Sequence, residues 1–297
     1  MWSYLWQNFL IDSKIRSYIA EHIAKMYTEL WCEALIEIGP GKGAITKLIS
    51  GVSDNFFVIE KDDSLIQNLE CIVQNWTIIQ WDVLEVDVEK MLEAWSICEE
   101  REEARNVEED WGNSVGKIDT RKTLVVGNLP YYITSPILRK FFGEGRQDYA
   151  WWIFMLQDEV GQKLRSDAKK KSYLRWIINY AYEVTYLKWV PAKCFNPAPK
   201  VKSCLVQLTT KSEELKISWN SFLSFLELYA PFSRKTLGSI ATLLEKRDGK
   251  SILSNSRKVE EDRGKLWKKT SLFSIPEDLK KKRLEELDSE ELSKIIK

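Results

Sequence analysis

The chain is poor in the residues that build metal centres and disulfide frameworks. Its 297 residues include one histidine and five cysteines, none of them in a CxxC pair. One histidine leaves little room for catalytic triads or histidine-based metal sites. Scattered cysteines argue against structural zinc or disulfides. We therefore expect a protein of a reducing cytosol that carries no metal.

Long hydrophobic runs are also missing. The longest, such as TLVVGNLPYYI, fall well short of the ~20 residues that a membrane helix needs. The N-terminal MWSYLWQNFLIDSKIR lacks a basic start followed by an apolar stretch and a cleavage site. These observations predict a cytoplasmic protein with no membrane partner. With 44% hydrophobic residues, a sizeable core can form.

An excess of one charge is absent overall but present in each half. Residues 1–120 carry 10 basic and 23 acidic side chains, and residues 121–297 carry 34 and 21. A basic half on a neutral chain is typical of a protein that meets an anionic partner with one face. An ordinary lysine-rich surface explains the same charge equally well.

Alternating strands and helices are the clearest pattern in the chain. ALIEIGPGKGAI predicts a buried strand, a glycine turn and a helix start, and further strands are predicted in NFFVIEKDD, TIIQWDVLEVD, TLVVGNLPYY, WWIFMLQ and SCLVQL. This alternation indicates a mostly parallel sheet with helices on both faces. We therefore predict an α/β, Rossmann-like fold.

Two changes of composition divide the chain. Residues 85–119 hold 12 acidic and 4 basic side chains and are interpreted as an acidic insertion outside the core. After about residue 211 the pattern becomes helical with basic runs. The predicted domains are 1–210, with the sheet, and 211–297, a small helical domain.

Three features at predicted strand ends suit an adenosine-bearing ligand. Gly39 and Gly41 follow the first strand, where glycines allow close approach of a ligand to the backbone and the next helix offers its N-terminus. Glu60 ends the next strand and can accept from both ribose hydroxyls, and Asp82 follows the third and can accept from an adenine amine. Each feature alone also fits a plain turn or an ordinary strand end. Together, in this order, they predict a cofactor pocket.

The segment Asn128-Leu129-Pro130-Tyr131, after the fourth strand, suits chemistry at an exocyclic amine. The lone pair of adenine N6 is delocalised into the ring and is a poor nucleophile. The Asn128 side-chain oxygen and the Pro130 carbonyl can each accept one N6–H and favour a pyramidal amine. Tyr131 supplies a stacking face for a base that has left its stack. The alternative is a structural turn.

With these motifs in place, the chain resembles the S-adenosylmethionine-dependent rRNA adenine N6-dimethyltransferases. The resemblance rests on QNFL, EIGPGKGAIT, VIEKD, GNLPYYITSPIL, FMLQDEV, FNPAPKVKS, FSRKTL and LEELDSEEL. It is nearest to the small-subunit branch, the dimethyladenosine transferases. It implies dimethylation of two adjacent adenosines near the 3′ end of small-subunit rRNA, by a monomer that acts in ribosome biogenesis.

The resemblance also assigns residues. Cofactor contacts are expected at Asn8, Leu10, Gly39, Gly41, Glu60, Asp82 and Asn128. Catalytic positions at the target adenine are expected at Asn128, Pro130, Tyr131 and, stacking on its other face, Phe195. Contacts with RNA phosphates are expected at Lys200, Lys202, Arg234 and Lys235, with the run 169–171 as an alternative basic face.

Two departures from the family pattern involve tryptophan. The family usually has glycine where this chain has Trp6 and Trp81, and the chain holds 13 Trp but only 13 Gly. One hypothesis is that the source reads an opal stop codon as glycine; the other is genuine substitution. Native peptides with tryptophan at both positions would end the recoding hypothesis.

Three other functions stay open. A large-subunit rRNA methyltransferase of the macrolide-resistance type would share the pocket, although FNPAPKVKS and LEELDSEEL favour the small-subunit branch. A non-catalytic RNA-binding assembly factor would keep the fold but not need Asn128. A DNA adenine methyltransferase more often carries D/N-P-P-Y.

Overall fold

The computed structural model describes residues 8–71, 77–96, 118–143, 151–165, 173–211, 217–251 and 273–296. Trp6, the run 169–171 and residues 97–117 of the acidic insertion lie outside this part of the chain. Within it, no helix is both long enough and apolar enough to cross a membrane.

Nine strands lie in the described residues: β1 (Phe9–Leu10), β2 (Ala34–Ile38), β3 (Phe56–Glu60), β4 (Thr77–Gln80), β5 (Thr123–Asn128), β6 (Trp151–Gln157), β7 (Tyr182–Val190), β8 (Phe195–Asn196) and β9 (Ser203–Thr210). The helices are α1 (Ser13–Glu29), α2 (Thr46–Ile49), α3 (Asp63–Glu70), α4 (88–96), α5 (Thr134–Gly143), α6 (Asp158–Leu164), α7 (Tyr173–Ala181), α8 (Trp219–Tyr229), α9 (Leu237–Ser251) and α10 (Ser289–Ile295).

Seven strands form the central sheet in the order β4-β3-β2-β5-β6-β9-β7. Strands β2 to β6 pair in parallel, and β9 runs antiparallel to β6. Every residue of β2 and β3 is buried, as expected for central parallel strands covered on both faces. The predicted α/β, Rossmann-like fold with a mostly parallel sheet is confirmed. The carboxyl ends of β2 to β5 therefore lie side by side.

Strand β7 was not predicted from the sequence. It is an edge strand of the sheet, and most of its residues are partly or fully exposed. Charged residues such as Glu183 and Lys188 can therefore stand among its apolar residues. An edge strand of this kind has no continuous apolar run to mark it.

The chain divides into two compact units. Residues 166–182 belong to the second unit, although the predicted boundary at about residue 211 placed them in the first. The first unit comprises residues 1–165 and 183–210, and the second comprises 166–182 and 211–297. The second unit includes α7, whose Tyr180 ring stacks on Phe222 of α8 with ring centroids 4.1 Å apart. The described helices of this unit are α7 to α10.

Candidate active site

The loop after β2 is shaped by three glycines. Gly39, Gly41 and Gly43 have φ values of 65°, 59° and 72°, in the left-handed region that side chains with a Cβ rarely adopt. The Gly39 N–H donates to the Ile59 carbonyl at 2.9 Å, which ties the loop to β3. The loop thus turns the chain sharply at three positions that carry no side chain.

A short N-terminal segment covers this loop. Strand β1 pairs with β8, and the Phe9 ring packs so closely on Gly41 that a Cβ there would lie 3.1 Å from it. The Lys42 Nζ lies 4.6 Å from the centre of the same ring. The resulting cation–π contact and the strand pairing place Asn8 and Leu10 beside the glycine loop.

Glu60 is buried at the end of β3 and is held by backbone donors. Its Oε1 accepts from the N–H groups of Lys61 and Asp62 at 2.8 and 2.9 Å, and its Oε2 accepts from Gly41 N–H at 3.2 Å. Burial raises the pKa of Glu60, and these backbone hydrogen bonds oppose that rise. The carboxyl therefore joins the glycine loop to the end of β3.

Asp82 follows β4 and is paired with a lysine. Its Oδ2 accepts from Lys61 Nζ at 2.7 Å and its Oδ1 from Leu84 N–H at 2.9 Å. Desolvation acts to raise the pKa of Asp82, but the bonds from Lys61 and Leu84 outweigh it and lower the pKa. The neighbouring Trp81 is 55% exposed.

These groups line two clefts that share a wall. The first, with about 720 Å³ of empty space that includes open solvent, is lined by 15 residues, among them Asn8, Leu10, Gly39, Gly41, Glu60, Asn128, Pro130 and Tyr131. The second, with about 590 Å³ counted in the same way, is lined by Trp81 and Asp82 and shares Gly39, Glu60 and Pro130 with the first. The structure thus brings the residues expected at the cofactor into one region of the first unit.

Asn128 ends β5 with its amide oriented by the N-terminal segment. Its Nδ2 donates to the Asn8 carbonyl at 3.3 Å. This bond uses the NH₂ group and leaves Oδ1 as the acceptor for a ligand.

The Pro130 carbonyl is already engaged. It accepts from Ile133 N–H at 3.1 Å and from Thr134 Oγ1 at 3.0 Å, both at the start of α5. Two donors occupy the two lone pairs of this oxygen, which argues against its expected role as an acceptor for the target amine. Tyr131, by contrast, lines the cleft, and its hydroxyl is hydrogen-bonded to Ser203.

Phe195 does not reach the cleft. Its side chain is 2% exposed and belongs to the hydrophobic core with Leu10 and Cys194, and its backbone pairs with Leu10. A phenyl ring buried in this way cannot stack on an incoming base, so the expectation from the sequence is corrected here. The apolar residue stabilises the β1–β8 pair instead.

The expected RNA contacts are all exposed but belong to different units. Lys200 and Lys202 lie in the first unit, and Lys202 Nζ is 5.5 Å from the ring centre of Trp189, which is 47% exposed. Arg234 and Lys235 lie in the second unit. Each pair offers unburied cations to solvent.

Glu37, in β2, was missed from the sequence. Its side chain is 3% exposed, it lines the first cleft, and its Oε2 has no hydrogen-bond partner among the residues that the structure describes. Burial raises the pKa of Glu37 to about 8, a nearby Thr46 hydroxyl lowers it, and the charge of Glu60 raises it. The signal was present in the sequence: an acid inside the apolar run ALIEI, two residues before Gly39.

Replacing Glu37 with glutamine should change how stability depends on pH. The pKa of Glu37 is raised from 4.5 to about 8 in the folded protein, so the unfolded chain binds fewer protons between these values and wild-type stability falls as pH rises. Glutamine does not titrate. The unfolding free energy of Glu37→Gln minus that of the wild type, from urea titrations of ligand-free protein, should grow between pH 5 and pH 8. A constant difference would contradict this protonation.

Trp31 adopts a backbone conformation that favours glycine. Its φ is 53° and its side chain is 83% exposed, so the left-handed backbone has little compensating burial. A tryptophan in a conformation that favours glycine agrees with the recoding hypothesis raised by Trp6 and Trp81.

Replacing Trp31 with glycine should stabilise the protein by about 1 kcal/mol, because the left-handed conformation costs a residue with a Cβ roughly 1–2 kcal/mol. Trp189→Gly is the matched control: this exposed tryptophan lies in strand β7, where glycine is unfavourable and should destabilise. Urea midpoints for both variants test the difference. Equal destabilisation would show that the conformation of Trp31 is not strained.

Known proteins resemble this chain over most of its length. The model of the ribosomal RNA adenine dimethylase family matches residues 3–274. Ribosomal RNA small subunit methyltransferases A of Bacillus thuringiensis (strain Al Hakam) and Bacillus mycoides (strain KBAB4) are each 32% identical over 240 residues, which cover 78% of this chain and 73% of theirs.

Solved structures share the fold. A dimethyladenosine transferase from Plasmodium falciparum superposes with a TM-score of 0.63 at 20% identity, over 96% of this chain and 95% of that one. The 23S rRNA methyltransferase ErmE gives a TM-score of 0.51 at 22% identity, over 82% and 90%. With the family model spanning nearly the whole chain, the protein belongs to the ribosomal RNA adenine dimethylase family of S-adenosylmethionine-dependent methyltransferases.

Proposed function

We propose that this protein transfers methyl groups from S-adenosylmethionine to N6 of two adjacent adenosines near the 3′ end of small-subunit rRNA. The observation that carries the proposal is the convergence of the glycine loop, Glu60 and Asn128 on one cleft. This combination provides a place for an adenosyl donor and an acceptor for an adenine amine side by side.

The cleft fits the donor. It is lined by the glycine loop, where Gly39 and Gly41 have no side chain to keep a ligand from the backbone. Glu60 would accept from a ribose hydroxyl with the remaining lone pair of Oε2, because Oε1 already accepts two backbone hydrogen bonds. Asp82, in the second cleft, would hold the adenine amine. When bound, S-adenosylmethionine supplies an electrophilic methyl group on its sulfonium.

Asn128 would position the nucleophile. Its NH₂ group donates to Asn8, so Oδ1 is the acceptor left for an N6–H. Holding that hydrogen favours the pyramidal amine whose lone pair can attack, and most of the rate enhancement would come from such positioning. Tyr131 would stack on the extruded base while Ser203 holds its hydroxyl.

The small-subunit substrate rests on the curated relatives, which are named for it. The 23S rRNA methyltransferase ErmE has a similar fold. Fold alone therefore does not separate a small-subunit from a large-subunit substrate. Unmodified small and large subunits, methylated side by side with labelled donor, separate them. We expect label in the small subunit; label confined to the large subunit would refute this substrate.

The non-catalytic alternative makes a different prediction at the cofactor cleft. Trp81 is exposed beside Asp82 and lines the second cleft, where the family usually has glycine. This bulky side chain is the feature that favours the non-catalytic alternative. Calorimetry with S-adenosylhomocysteine tests it directly. Saturable binding at one site supports the enzyme, and no binding supports the assembly factor.

We also propose that the first unit, residues 1–165 and 183–210, carries methyl transfer and that the second unit, residues 166–182 and 211–297, contributes to RNA recognition. The proposed enzyme is a cytoplasmic monomer. The exposed Arg234 and Lys235 support the second role. Light scattering of the purified protein, alone and with bound RNA, tests the monomer.

Removing the cations at Lys200, Lys202, Arg234 and Lys235 should weaken RNA binding and flatten its salt dependence. Each lost phosphate contact should reduce the slope of log K against log[salt] by about 0.7–0.9. Fluorescence anisotropy with labelled small-subunit rRNA measures both quantities. Alanine at Lys25 and Lys163, exposed lysines already paired with Glu29 and Glu159, is the control. An unchanged slope would place the RNA-binding face elsewhere, such as at residues 169–171.

A further inference from the structure

An exposed tryptophan lies beside a lysine at the edge of the sheet. Trp189 is the last residue but one of the edge strand β7, and its side chain is 47% exposed. The Lys202 Nζ lies 5.5 Å from the centre of its indole ring. A single exposed apolar side chain is common and needs no ligand to explain it. The charge around Trp189 and its position relative to the cleft are what point to one.

The chain on either side of Trp189 carries positive charge only. Residues 184–210 contain no aspartate or glutamate and four lysines, which are Lys188, Lys193, Lys200 and Lys202. None of the four forms an ion pair with any residue that the structure describes. An aromatic face among cations suits a single-stranded nucleic acid, whose bases stack while its phosphates pair with the cations.

Lys202 is joined to the active-site cleft through the next residue. Ser203 begins β9, and its hydroxyl is hydrogen-bonded to that of Tyr131, which lines the first cleft. The Lys202 carbonyl accepts from Asp158 N–H at 2.9 Å, so the backbone is held at this point. The patch formed by Trp189 and Lys202 therefore borders the residue expected to stack on the target adenine.

We propose that Trp189 stacks on an unpaired base of the RNA substrate close to the target adenosine along the strand, and that Lys202 contacts a phosphate beside that base. The inference rests on the proposed function, because it assumes that the target adenosine enters at Tyr131. Every base has a π face, so stacking tolerates any sequence. Trp189 thus holds the strand at the mouth of the cleft without selecting the base.

Binding of short RNAs to full-length variants tests the contact. Trp189→Leu keeps an apolar side chain and removes the π face, whereas Trp189→Phe keeps a π face. Anisotropy with an unstructured single strand of about 12 nucleotides should show a loss of roughly 5- to 150-fold for Trp189→Leu, the range for one stacked base. Trp189→Phe should bind more tightly than Trp189→Leu. A duplex of the same length should bind Trp189→Leu within about twofold of the wild type, because its affinity comes from phosphate contacts.

Salt dependence separates stacking from charge. Trp189→Leu should lower log K for the single strand without changing its slope against log[salt], because no phosphate contact is lost. Lys202→Ala should reduce that slope by about 0.7. Trp31→Leu is the matched control, since Trp31 is also exposed and no described lysine lies over its ring. It should bind both RNAs as the wild type does.

Methylation of unmodified small subunits places the contact in the reaction. Trp189→Leu should raise KM for the subunit by roughly 5- to 150-fold. Its kcat should stay within about twofold of the wild type, because the stacked base is not the reacting one. A lower kcat with unchanged KM would contradict this role.

The other outcomes are also decisive. Equal single-strand affinity of the wild type and Trp189→Leu, an equal loss for the duplex, or no single-strand binding by the wild type would overturn the proposal and leave the proposed function intact. A raised KM with unchanged RNA binding would assign Trp189 to a protein of the subunit and also overturn it. No methylation of small subunits by the wild type would overturn both. If Trp189→Leu does not fold, photocrosslinking of the wild type to RNA containing 4-thiouridine decides: attachment at Trp189 supports the contact, and attachment only elsewhere overturns it.

Discussion

Replacing Asn128 with alanine is expected to lower the single-turnover rate of methyl transfer by about a hundredfold or more, with little effect on RNA affinity. Asn128 supplies an acceptor for the target amine, and misalignment at a reacting centre costs a factor of this size. The structure strengthens the expectation, because the Pro130 carbonyl already accepts two internal hydrogen bonds. Most RNA affinity should come from phosphate contacts that the variant leaves in place.

Asn128→Asp is the informative companion variant. Aspartate keeps acceptor oxygens toward the amine but loses the NH₂ group that donates to the Asn8 carbonyl. We expect Asn128→Asp to retain more activity than Asn128→Ala but to bind the donor less tightly than the wild-type protein does. Rates are measured at saturating donor and small subunits, with RNA binding measured separately. A near-normal rate in Asn128→Ala would leave the segment 128–131 as a structural turn.

Replacing Glu60 with alanine should weaken donor binding by about 10- to 150-fold, the range for a hydrogen bond to a charged group. The effect has two sources. Glu60 is the expected acceptor for the ribose, and it also anchors the glycine loop through the Gly41 N–H. Calorimetry with S-adenosylhomocysteine measures the loss.

Glu60→Gln helps to separate these two sources. Glutamine keeps one acceptor oxygen for the backbone but removes the negative charge. If the ribose contact dominates, Glu60→Gln should lose most of the affinity while its urea midpoint stays closer to the wild type than that of Glu60→Ala. An unchanged dissociation constant in Glu60→Ala would refute the ribose assignment.

The sheet and the cofactor cleft could be predicted from the sequence because their signals are local. Fully buried strands read as apolar runs, and the glycines at 39 and 41 and the acids at 60 and 82 follow those runs directly. Parallel strands end at the same edge of a sheet, so the order of motifs along the chain becomes proximity in space.

What could not be predicted depends on contacts between distant segments. Phe195 stands in a motif that suggested base stacking, yet its pairing with Leu10 buries it in the core. The engagement of the Pro130 carbonyl follows from how α5 begins, and residues 166–182 cluster with the second unit through contacts such as Tyr180 with Phe222. None of these pairings has a periodic signature in the sequence.

The identity of the methylated nucleoside tests the central claim most directly. Unmodified small ribosomal subunits are incubated with the protein and labelled S-adenosylmethionine, and the rRNA is digested to nucleosides for mass spectrometry. We expect N6,N6-dimethyladenosine at two adjacent positions near the 3′ end, and we expect it to be lost in Asn128→Ala. Label at another atom, at another base, or no label with donor bound would contradict it.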